Sequence, residues 1–220
     1  MHGAGERTVP GQDRPAPRTA VALFVLAPSV RTDNRFMLRT TLPLLLLAGC
    51  TGFHAEARDV YRSPQVQEDQ LVRRIERHGI RSVVCLRGGR PARMTERATE
   101  SADATFYNVS MSARRAPPPD KLLQLWRIAE RAERPLLVHC RAGVDRTGLA
   151  MAIITLHDTG DLDEARGQLA LVPYGHVGAM GTEAMDEVLD AFAPFAGTMS
   201  FPDWVENVYG PDWHAQNDPR

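Results

Sequence analysis

The segment LLVHCRAGVDRTGLAMAIITL, residues 136–156, constrains the fold of this chain more than any other part of the sequence. A short apolar run ends at His139 and Cys140, and a longer apolar run begins after a loop that contains arginine, glycine and aspartate. This order predicts a buried strand, a tight loop and a buried helix. Cys140 is therefore expected at the carboxyl end of a strand, where it faces the loop that leads into the helix.

Other segments before and after this loop also predict strands. VYRSPQ indicates a short strand that ends at Ser63 and Pro64. The β-branched run IRSVVCLRGG indicates a buried strand that is closed by Gly88 and Gly89. ATFYNVSM indicates another strand, and the loop SARRAPPP follows it.

Amphipathic patterns predict helices between and after these strands. EDQLVRRIERHG has apolar residues at helical spacing and a stop at Gly79, and PARMTERATESAD is a polar helix. KLLQLWRIAERAER has one apolar face, with Asp120 as its N-terminal cap and Pro135 as its end. DLDEARGQLALV and TEAMDEVLDAFAPF predict two more helices.

Strands that alternate with helices indicate an α/β fold with a central, mostly parallel sheet flanked by helices. Ligands of such sheets bind beyond the carboxyl ends of the strands, which is where Cys140 is expected. We predict a folded domain over residues 60–210 and a tail over residues 211–220.

The N-terminal residues have the pattern of an export signal and not of a folded domain. Residues 1–36 are rich in proline and arginine, and from Met37 a positive start, a leucine-rich run and the sequence LAGC follow. LAGC resembles the lipobox of bacterial lipoproteins, in which the cysteine, here Cys50, is lipidated and becomes the first mature residue. We therefore predict a leader over residues 1–49 and a polar tether over residues 50–59.

This interpretation places the protein in the bacterial cell envelope, held by a lipid anchor on the periplasmic side. If Met37 is the true start, residues 1–36 are an over-long gene model. The alternative is a leucine-rich N-terminus that arose by chance, because the apolar run is short.

The composition excludes several classes of function. The formal net charge is −1, so the chain has no overall positive charge with which to bind nucleic acid. Three cysteines are too few for a disulfide-stabilised scaffold, and no Cys/His group has the spacing of a zinc site. We predict no metal and no cofactor.

The loop CRAGVDRT has the features of an anion-binding site. A loop that turns tightly before a helix points its backbone N–H groups inward, and the helix dipole favours a negative charge there. Gly143 allows the tight turn, and Gly148 allows the helix to pack closely. The predicted phosphate-binding residues are Arg141, Ala142, Gly143, Val144, Asp145 and Arg146.

Two residues of this loop indicate catalysis in addition to binding. The positive field of the helix N-terminus and of Arg146 favours the thiolate form of Cys140, which can attack phosphorus. Arg146 can bind two phosphate oxygens through its planar guanidinium group. We predict a cysteinyl-phosphate intermediate that water hydrolyses, with the Thr147 hydroxyl near the sulfur to make it a better leaving group.

HCRAGVDRTG resembles the His-Cys-x5-Arg-Thr signature of the protein tyrosine and dual-specificity phosphatase superfamily. The signature residues are His139, Cys140, Arg146 and Thr147. Together with VYRSPQ and GIRSVVCLRGG, this sequence is similar to a bacterial dual-specificity-like branch over residues 60–209. The resemblance implies a cysteine-phosphatase fold and a metal-independent phosphomonoesterase of the protein tyrosine or dual-specificity type.

Two aspartates are candidates for the general acid that protonates the leaving oxygen. Members of the superfamily usually place an aspartate on a loop after the preceding strand, but NVSMSARRAPPPD contains none before Asp120. Asp145 lies in the phosphate loop, and some bacterial phosphatases that act on phosphotyrosine and phosphoinositides share the arrangement A-G-x-D-R-T-G. We favour Asp145 and keep Asp120 as the alternative.

Other side chains are given supporting roles. His139 is predicted to orient the loop by hydrogen bonding. Arg141 and the pair Arg114–Arg115 would suit an acidic or multiply phosphorylated substrate, although exposed arginines are commonly only solvated. Cys85 ends the strand RSVVC, and if that strand lies beside the strand of Cys140, a reversible disulfide would protect the nucleophile.

The substrate that these features predict is a phosphorylated protein, a phosphoinositide or another small phosphate ester. One alternative is a non-catalytic phosphate-binding module, but binding alone does not require a thiolate beside Arg146. The other alternative is a sulfur-transfer enzyme of the rhodanese type. The five-residue spacing and the Arg-Thr-Gly ending favour phosphate over sulfane sulfur.

Overall fold

A five-stranded sheet forms the centre of the molecule. The computed structural model describes residues 52–56 and 58–217, so the predicted leader and Cys50 lie outside the described residues. The strands are β1 (His54–Ala55), β2 (Val60–Ser63), β3 (Ser82–Cys85), β4 (Thr105–Asn108) and β5 (Leu136–His139). Their order across the sheet is β1–β2–β5–β3–β4, with β1 antiparallel to β2 and the other pairings of this sheet parallel. The predicted mostly parallel sheet is confirmed.

Helices connect these strands and continue after the last one. They are α1 (Glu68–His78), α2 (Arg90–Ser101), α3 (Pro119–Arg131), α4 (Asp145–Thr159), α5 (Leu162–Gly167), α6 (Leu171–Tyr174), α7 (Ala184–Phe192), α8 (Phe201–Trp204) and α9 (Gly210–Asn217). A π-helical turn (Val205–Tyr209) joins α8 to α9, and short 3₁₀ turns lie at Gly178–Met180 and Ala193–Phe195. None of the helices in the described part of the chain has both the length and the apolar character needed to cross a membrane.

Helices cover both faces of the sheet. Neighbouring residues of a strand point to opposite faces, and in β3 and β5 both sets of residues include buried apolar side chains. Val83 of β3 and Leu137 of β5 pack with Leu71 of α1 on one face. Val84 and Val138, the next residues along the same strands, belong to the larger cluster that α3, α4, α7 and α8 form on the other face. The sheet is therefore the middle layer of three.

Helix α4 is buried on nearly all sides, which explains its long apolar run. Residues 147–156 are all buried, and they pack in the same cluster as α3 and α7. A helix that is apolar all round is stable only inside a core. Because α4 begins at the predicted phosphate loop, its burial fixes the position of that loop.

Two of the predicted domain boundaries differ from the structure. The predicted tether, residues 50–59, contains β1, whose antiparallel pairing with β2 extends the sheet. The predicted tail, residues 211–220, contains most of α9, which ends at Asn217. Both segments are polar enough to resemble linkers, but contacts with distant parts of the chain order them.

Asp120 is not the cap of α3 that the sequence predicts. Pro118 holds the capping position and Pro119 begins the helix, so Asp120 lies in the first turn. Proline suits the first helical position because its fixed φ matches the helix and its missing N–H would have no partner there. The prediction of one helix over DLDEARGQLALV is also wrong, because α5 ends at Gly167 and the chain turns before α6.

Candidate active site

Strand β5 ends at His139, and Cys140 follows it at the start of the predicted phosphate loop. The Cys140 side chain is buried, and the backbone N–H of Gly143 donates a hydrogen bond of 3.2 Å to its sulfur. Gly143 has a φ of +75°, and a Cβ at this residue would lie 2.6 Å from the carbonyl carbon of Ser63. The loop can turn over the sulfur because this residue is glycine, as the sequence predicts.

Arg146 lies in the first turn of α4 and is held by two main-chain carbonyls. Its Nη1 donates to Leu86 O at 3.3 Å and to Met111 O at 3.4 Å. Its Nε is buried and has no hydrogen-bond partner among the described residues. The two carbonyls hold the Nη1 end of the guanidinium group. The Nε–H has no acceptor in the described part of the chain and can therefore donate to a bound anion.

Arg62 of β2 supports the loop from behind, and the sequence analysis did not find this role. Its side chain is 1% exposed, and its Nη2 donates to Gly143 O at 3.1 Å and to Val144 O at 3.2 Å. Its Nη1 donates to Gln168 O and Oε1, and its guanidinium carbon lies 3.8 Å from the centre of the Tyr174 ring. Because Arg62 binds these two carbonyls, the amides of the same peptide units are free to face the sulfur side of the loop.

The predicted role of His139, orienting the loop by hydrogen bonding, is consistent with its placement and stays a prediction. It is buried beneath the loop, with Nε2 3.3 Å from Thr95 Oγ1. The Thr95 hydroxyl donates to Pro91 O, so it accepts the hydrogen bond of the imidazole. Burial lowers the pKa of His139 to about 4, so the ring is neutral near pH 7 and holds the loop by hydrogen bonding.

Asp145, the favoured general acid, belongs to a chain of three ionisable groups, of which the central one, His176, is buried. Its Oδ1 lies 2.8 Å from His176 Nδ1, and His176 Nε2 lies 2.9 Å from Asp186 Oδ2. The His176 side chain is 2% exposed, against 27% for Asp145 and 39% for Asp186. Sequence analysis missed His176 and Asp186, because neither belongs to a spaced motif.

Asp120 is placed differently from Asp145. It is exposed on α3, and its Oδ2 pairs with Lys121 Nζ at 3.3 Å. No hydrogen bond connects it to the phosphate loop in the described part of the chain. The structure therefore favours Asp145 over Asp120 as a residue of the site.

The remaining predicted residues have mixed placements. Arg141 and Ala142 are exposed on the loop, and Arg114–Arg115 are exposed on the loop that precedes α3. The Thr147 hydroxyl is buried without a hydrogen-bond partner among the described residues, so it does not bind the sulfur in this structure. Its role with the leaving sulfur stays a prediction.

Cys85 ends β3, and Cys140 directly follows the end of β5. β3 and β5 are parallel neighbours, and Cys85 is opposite His139, one residue before Cys140. Both thiols are free and buried. The reversible disulfide stays a prediction, and the register places Cys85 on the same face of the sheet as His139.

The geometry suits capture of a phosphate dianion by a nucleophilic sulfur. The sulfur lies at the N-terminus of a buried helix, receives a backbone N–H, and has a guanidinium group and an aspartate in the same loop. Such a field stabilises the charge on the oxygens of a bound phosphate. Among the described residues, no group of three His, Cys, Asp or Glu side chains is arranged to hold a metal ion.

Comparison with solved structures shows the same fold in known phosphatases. TpbA of P. aeruginosa superposes with a TM-score of 0.52 and 20% identity, over 66% of this chain and 90% of TpbA. Its complex with pTyr, formed by a cysteine-to-serine variant, has a TM-score of 0.51 and 18% identity over 69% of this chain and 98% of that one. Tk-PTP in its active form has a TM-score of 0.52 and 21% identity, over 63% of this chain and 95% of its own.

Comparison with protein family models shows the family of this chain. No curated protein sequence is similar enough to be matched. A family model described as "Polymorphic toxin system, DSP-PTPase phosphatase" matches residues 48–160, which is just over half of the 220 residues. This match covers β1 to β5, the phosphate loop and α4. The chain therefore belongs to this DSP-PTPase family and is a cysteine-type phosphatase.

Proposed function

We propose that the protein hydrolyses phosphomonoesters through a cysteinyl-phosphate on Cys140, without a metal ion. The observation that carries this proposal is the hydrogen bond from Gly143 N–H to the Cys140 sulfur at the N-terminus of α4. Arg146 binds the equatorial phosphate oxygens and holds phosphorus in line with the sulfur. Asp145 protonates the leaving oxygen and then accepts a proton from the attacking water.

The substrate that we propose is a phosphotyrosine or other phosphorylated residue of a protein. Support comes from the fold shared with TpbA, whose variant was crystallised with pTyr. Phosphoinositides are the second candidate, because the exposed Arg141 and Arg114–Arg115 add positive charge near the loops of the site.

One set of assays tests the reaction and the substrate together. The full chain, Cys140→Ser and Arg146→Lys are compared in EDTA on p-nitrophenyl phosphate, phosphotyrosine and phosphoserine peptides, and phosphoinositides. We expect the wild type to be active and sensitive to vanadate, and kcat of Cys140→Ser to fall by about 1,000-fold or more. Equal turnover by Cys140→Ser would contradict the mechanism, and binding without turnover by the wild type would indicate a binding module.

We also propose that Cys50 is lipidated and that the protein is anchored on the periplasmic side of a bacterial membrane. The LAGC sequence supports this proposal, and the first strand begins at His54, so the anchor would lie only a few residues from the folded domain. Expression in a bacterial host with labelled palmitate should give a labelled membrane protein, and Cys50→Ser should remove the label. An unlabelled soluble protein that begins at Met1 would contradict the proposal.

A further inference from the structure

His176 is a buried ionisable residue in a segment whose apolar residues are exposed. Leu171, Val172 and Met180 are 55%, 74% and 77% exposed, whereas His176 is 4% exposed. The usual partition places apolar side chains inside and ionisable side chains outside. Polar contacts therefore hold residues 171–180 more than burial of apolar surface does: those of the imidazole, and those of Tyr174 with Arg62 and Glu56.

The partners of the imidazole determine its charge. Both ring nitrogens face a carboxylate oxygen, Asp145 Oδ1 at 2.8 Å and Asp186 Oδ2 at 2.9 Å. A neutral imidazole has one N–H donor, so only the imidazolium ion donates to two carboxylates. Burial alone would lower the pKa of His176, but the hydrogen bonds and charges of Asp186 and Asp145 outweigh it and raise that pKa above its usual value.

Asp186 is the outer anchor of this arrangement. It lies on α7, whose buried side packs in the main core cluster, so its position does not depend on the exposed segment. A Cβ at Gly178 would lie 2.6 Å from Asp186 Oδ2, so the glycine leaves room for this carboxylate. Helix α7 therefore fixes Asp186, which fixes the ring of His176.

Asp145 lies at the end of this arrangement that is nearest the phosphate loop, and its hydrogen bond with His176 restricts the orientation of its carboxyl group. His176 binds Oδ1, and no hydrogen bond to Oδ2 is found in the described part of the chain. The carboxyl group precedes Arg146 in the loop, so restricting Oδ1 restricts where Oδ2 can point. A carboxyl group fixed by one oxygen can transfer a proton with the other.

We propose that His176, anchored by Asp186, is a positioning residue that holds Asp145 as the general acid of the phosphatase reaction. This inference rests on the proposed function and deepens it. It also decides between the two candidate acids, because Asp120 has no comparable partner among the described residues.

The proton and the bonds balance over the two chemical steps. The reacting form has Asp145 protonated on Oδ2, while Oδ1 accepts the N–H of His176. As the Cys140 sulfur bonds to phosphorus, the bond from phosphorus to the leaving oxygen breaks, and Oδ2 transfers its proton to that oxygen. The resulting carboxylate is stabilised by the N–H of His176. Water then attacks phosphorus, the sulfur–phosphorus bond breaks, and the proton of water returns to Asp145.

The test compares esters whose leaving groups differ in their need for a proton. p-Nitrophenyl phosphate has a good leaving group, whereas an alkyl phosphate such as phosphoserine peptide requires protonation. In the full chain, we expect His176→Asn to lower kcat about 30-fold or more on the alkyl ester and less than about 3-fold on the aryl ester. The affinity for vanadate should stay unchanged, because the phosphate loop is intact.

Two controls separate positioning from general destabilisation. His157→Asn changes another His–Asp pair, that of His157 with Asp158 at the far end of α4. Asp190→Asn changes an exposed aspartate on α7 that pairs with Arg166. Neither should change the ratio of aryl to alkyl turnover. If His176→Asn changes this ratio no more than His157→Asn does, the inference is wrong.

A second variant keeps the test valid if His176→Asn does not fold. Asp186→Asn keeps an acceptor for Nε2–H and removes the charge, so it lowers the pKa of His176. The groups facing this ring are Asp145 from α4 and Asp186 from α7. The ring then loses its proton, and with it one of its two N–H donors, at lower pH, so the alkaline limb of kcat for the alkyl ester should move to lower pH. An unmoved limb, relative to Asp190→Asn, would overturn the inference.

The two proposals fail in different ways. A wild type without turnover of any ester, or with equal turnover by Cys140→Ser, contradicts the proposed function and the inference with it. An active wild type whose ester ratio and pH limb are insensitive to His176 and Asp186 contradicts the inference alone.

Discussion

Gly143 shows how a single residue sets the approach of the phosphate loop to β2. Its φ of +75° is disfavoured for other residues, and a Cβ would lie 2.7 Å from Pro64 N and 2.6 Å from the Ser63 carbonyl carbon. Both clashes are with backbone, which cannot rotate away as a side chain can. We expect Gly143→Ala to lower kcat/KM about 100-fold or more and to weaken vanadate binding, because the loop must move.

Gly160 provides the matched control for this prediction. It has a φ of +69° at the end of α4, but nothing lies within 4 Å of a Cβ placed there. Gly160→Ala should cost about 1 kcal/mol of stability from the backbone conformation alone and leave kcat/KM unchanged. Similar activity losses in the two variants, measured beside urea unfolding, would show that the clash at Gly143 is not the cause.

His139 makes stability depend on pH in a defined direction. Its folded pKa is about 4, below the unfolded value of 6.5, so the unfolded chain takes up a proton first as the pH falls. The stability is fully present above pH 6.5 and is lost as the pH falls towards 4. Between pH 7 and pH 5, this contributes a loss of about 2 kcal/mol in the free energy of unfolding.

Comparison with His139→Gln isolates this contribution. Carboxylates titrate in the same range in both proteins, but only the wild type has the buried imidazole. Urea unfolding at pH 7 and pH 5 should show the smaller loss for the variant. His176 has a raised pKa, so its contribution is fully present at pH 5 and declines as the pH rises past 6.5, but it does so in the wild type and in His139→Gln alike. Equal losses in the two proteins would contradict the assignment.

Strand β2 supports the phosphate loop through the side chain of Arg62. The side chain spans Gly143 O, Val144 O and the backbone of Gln168, so it joins the sheet, the phosphate loop and the end of α5. Burial lowers the pKa of this guanidinium group, and its acceptors compensate the cost of burying the charge.

Lysine at this position would keep the charge but could not reach all of these acceptors. We expect Arg62→Lys to lower the free energy of unfolding by about 2–4 kcal/mol and kcat/KM by about 10-fold or more. Arg58→Lys changes an exposed ion pair with Glu164 near the same strand and should be close to neutral. Retained activity and stability in Arg62→Lys would show that the loop does not need this support.

The sequence predicts those parts of the site whose contacts are local in the chain. Cys140, Gly143 and Arg146 lie within one strand–loop–helix unit, so spacing alone brings them together. His176 contacts Asp145 across 31 residues, and Arg62 contacts Gly143 across 81 residues. Such pairings depend on the packing of the whole chain, and neither residue lies in a periodic or spaced pattern that marks its role.

The same distinction explains the fold predictions. The strands β2, β3 and β5 can be predicted from their local sequence, because each is a short run with β-branched or apolar residues. β1 is a two-residue strand that pairs with β2 alone among the described strands, so its sequence resembles a tether. The order of the strands in the sheet depends on which apolar surfaces pack together, so it cannot be predicted from the local sequence of each strand.

For the whole molecule, the region after residue 160 completes the core, although the family match ends there. Met185, Phe192, Phe201 and Trp204 are each at most 3% exposed and share a cluster with Ile153 of α4. Burying one such side chain contributes roughly 1.5–3 kcal/mol. Four of them together match the net stability of a typical domain, which is about 5–15 kcal/mol.

A fragment of residues 52–160 should therefore not fold, even though it contains the phosphate loop. Without α7 and α8 the apolar surface of α4 is exposed, so we expect binding of a hydrophobic dye, no cooperative urea transition and no vanadate binding. The control is residues 52–217, which should unfold in one transition and retain activity. Cooperative unfolding of the shorter fragment would show that the matched region is an independent domain and that the C-terminal helices are an addition to it. The predicted link from α7 through His176 to Asp145 would then be dispensable for folding, and its contribution could be measured on activity alone.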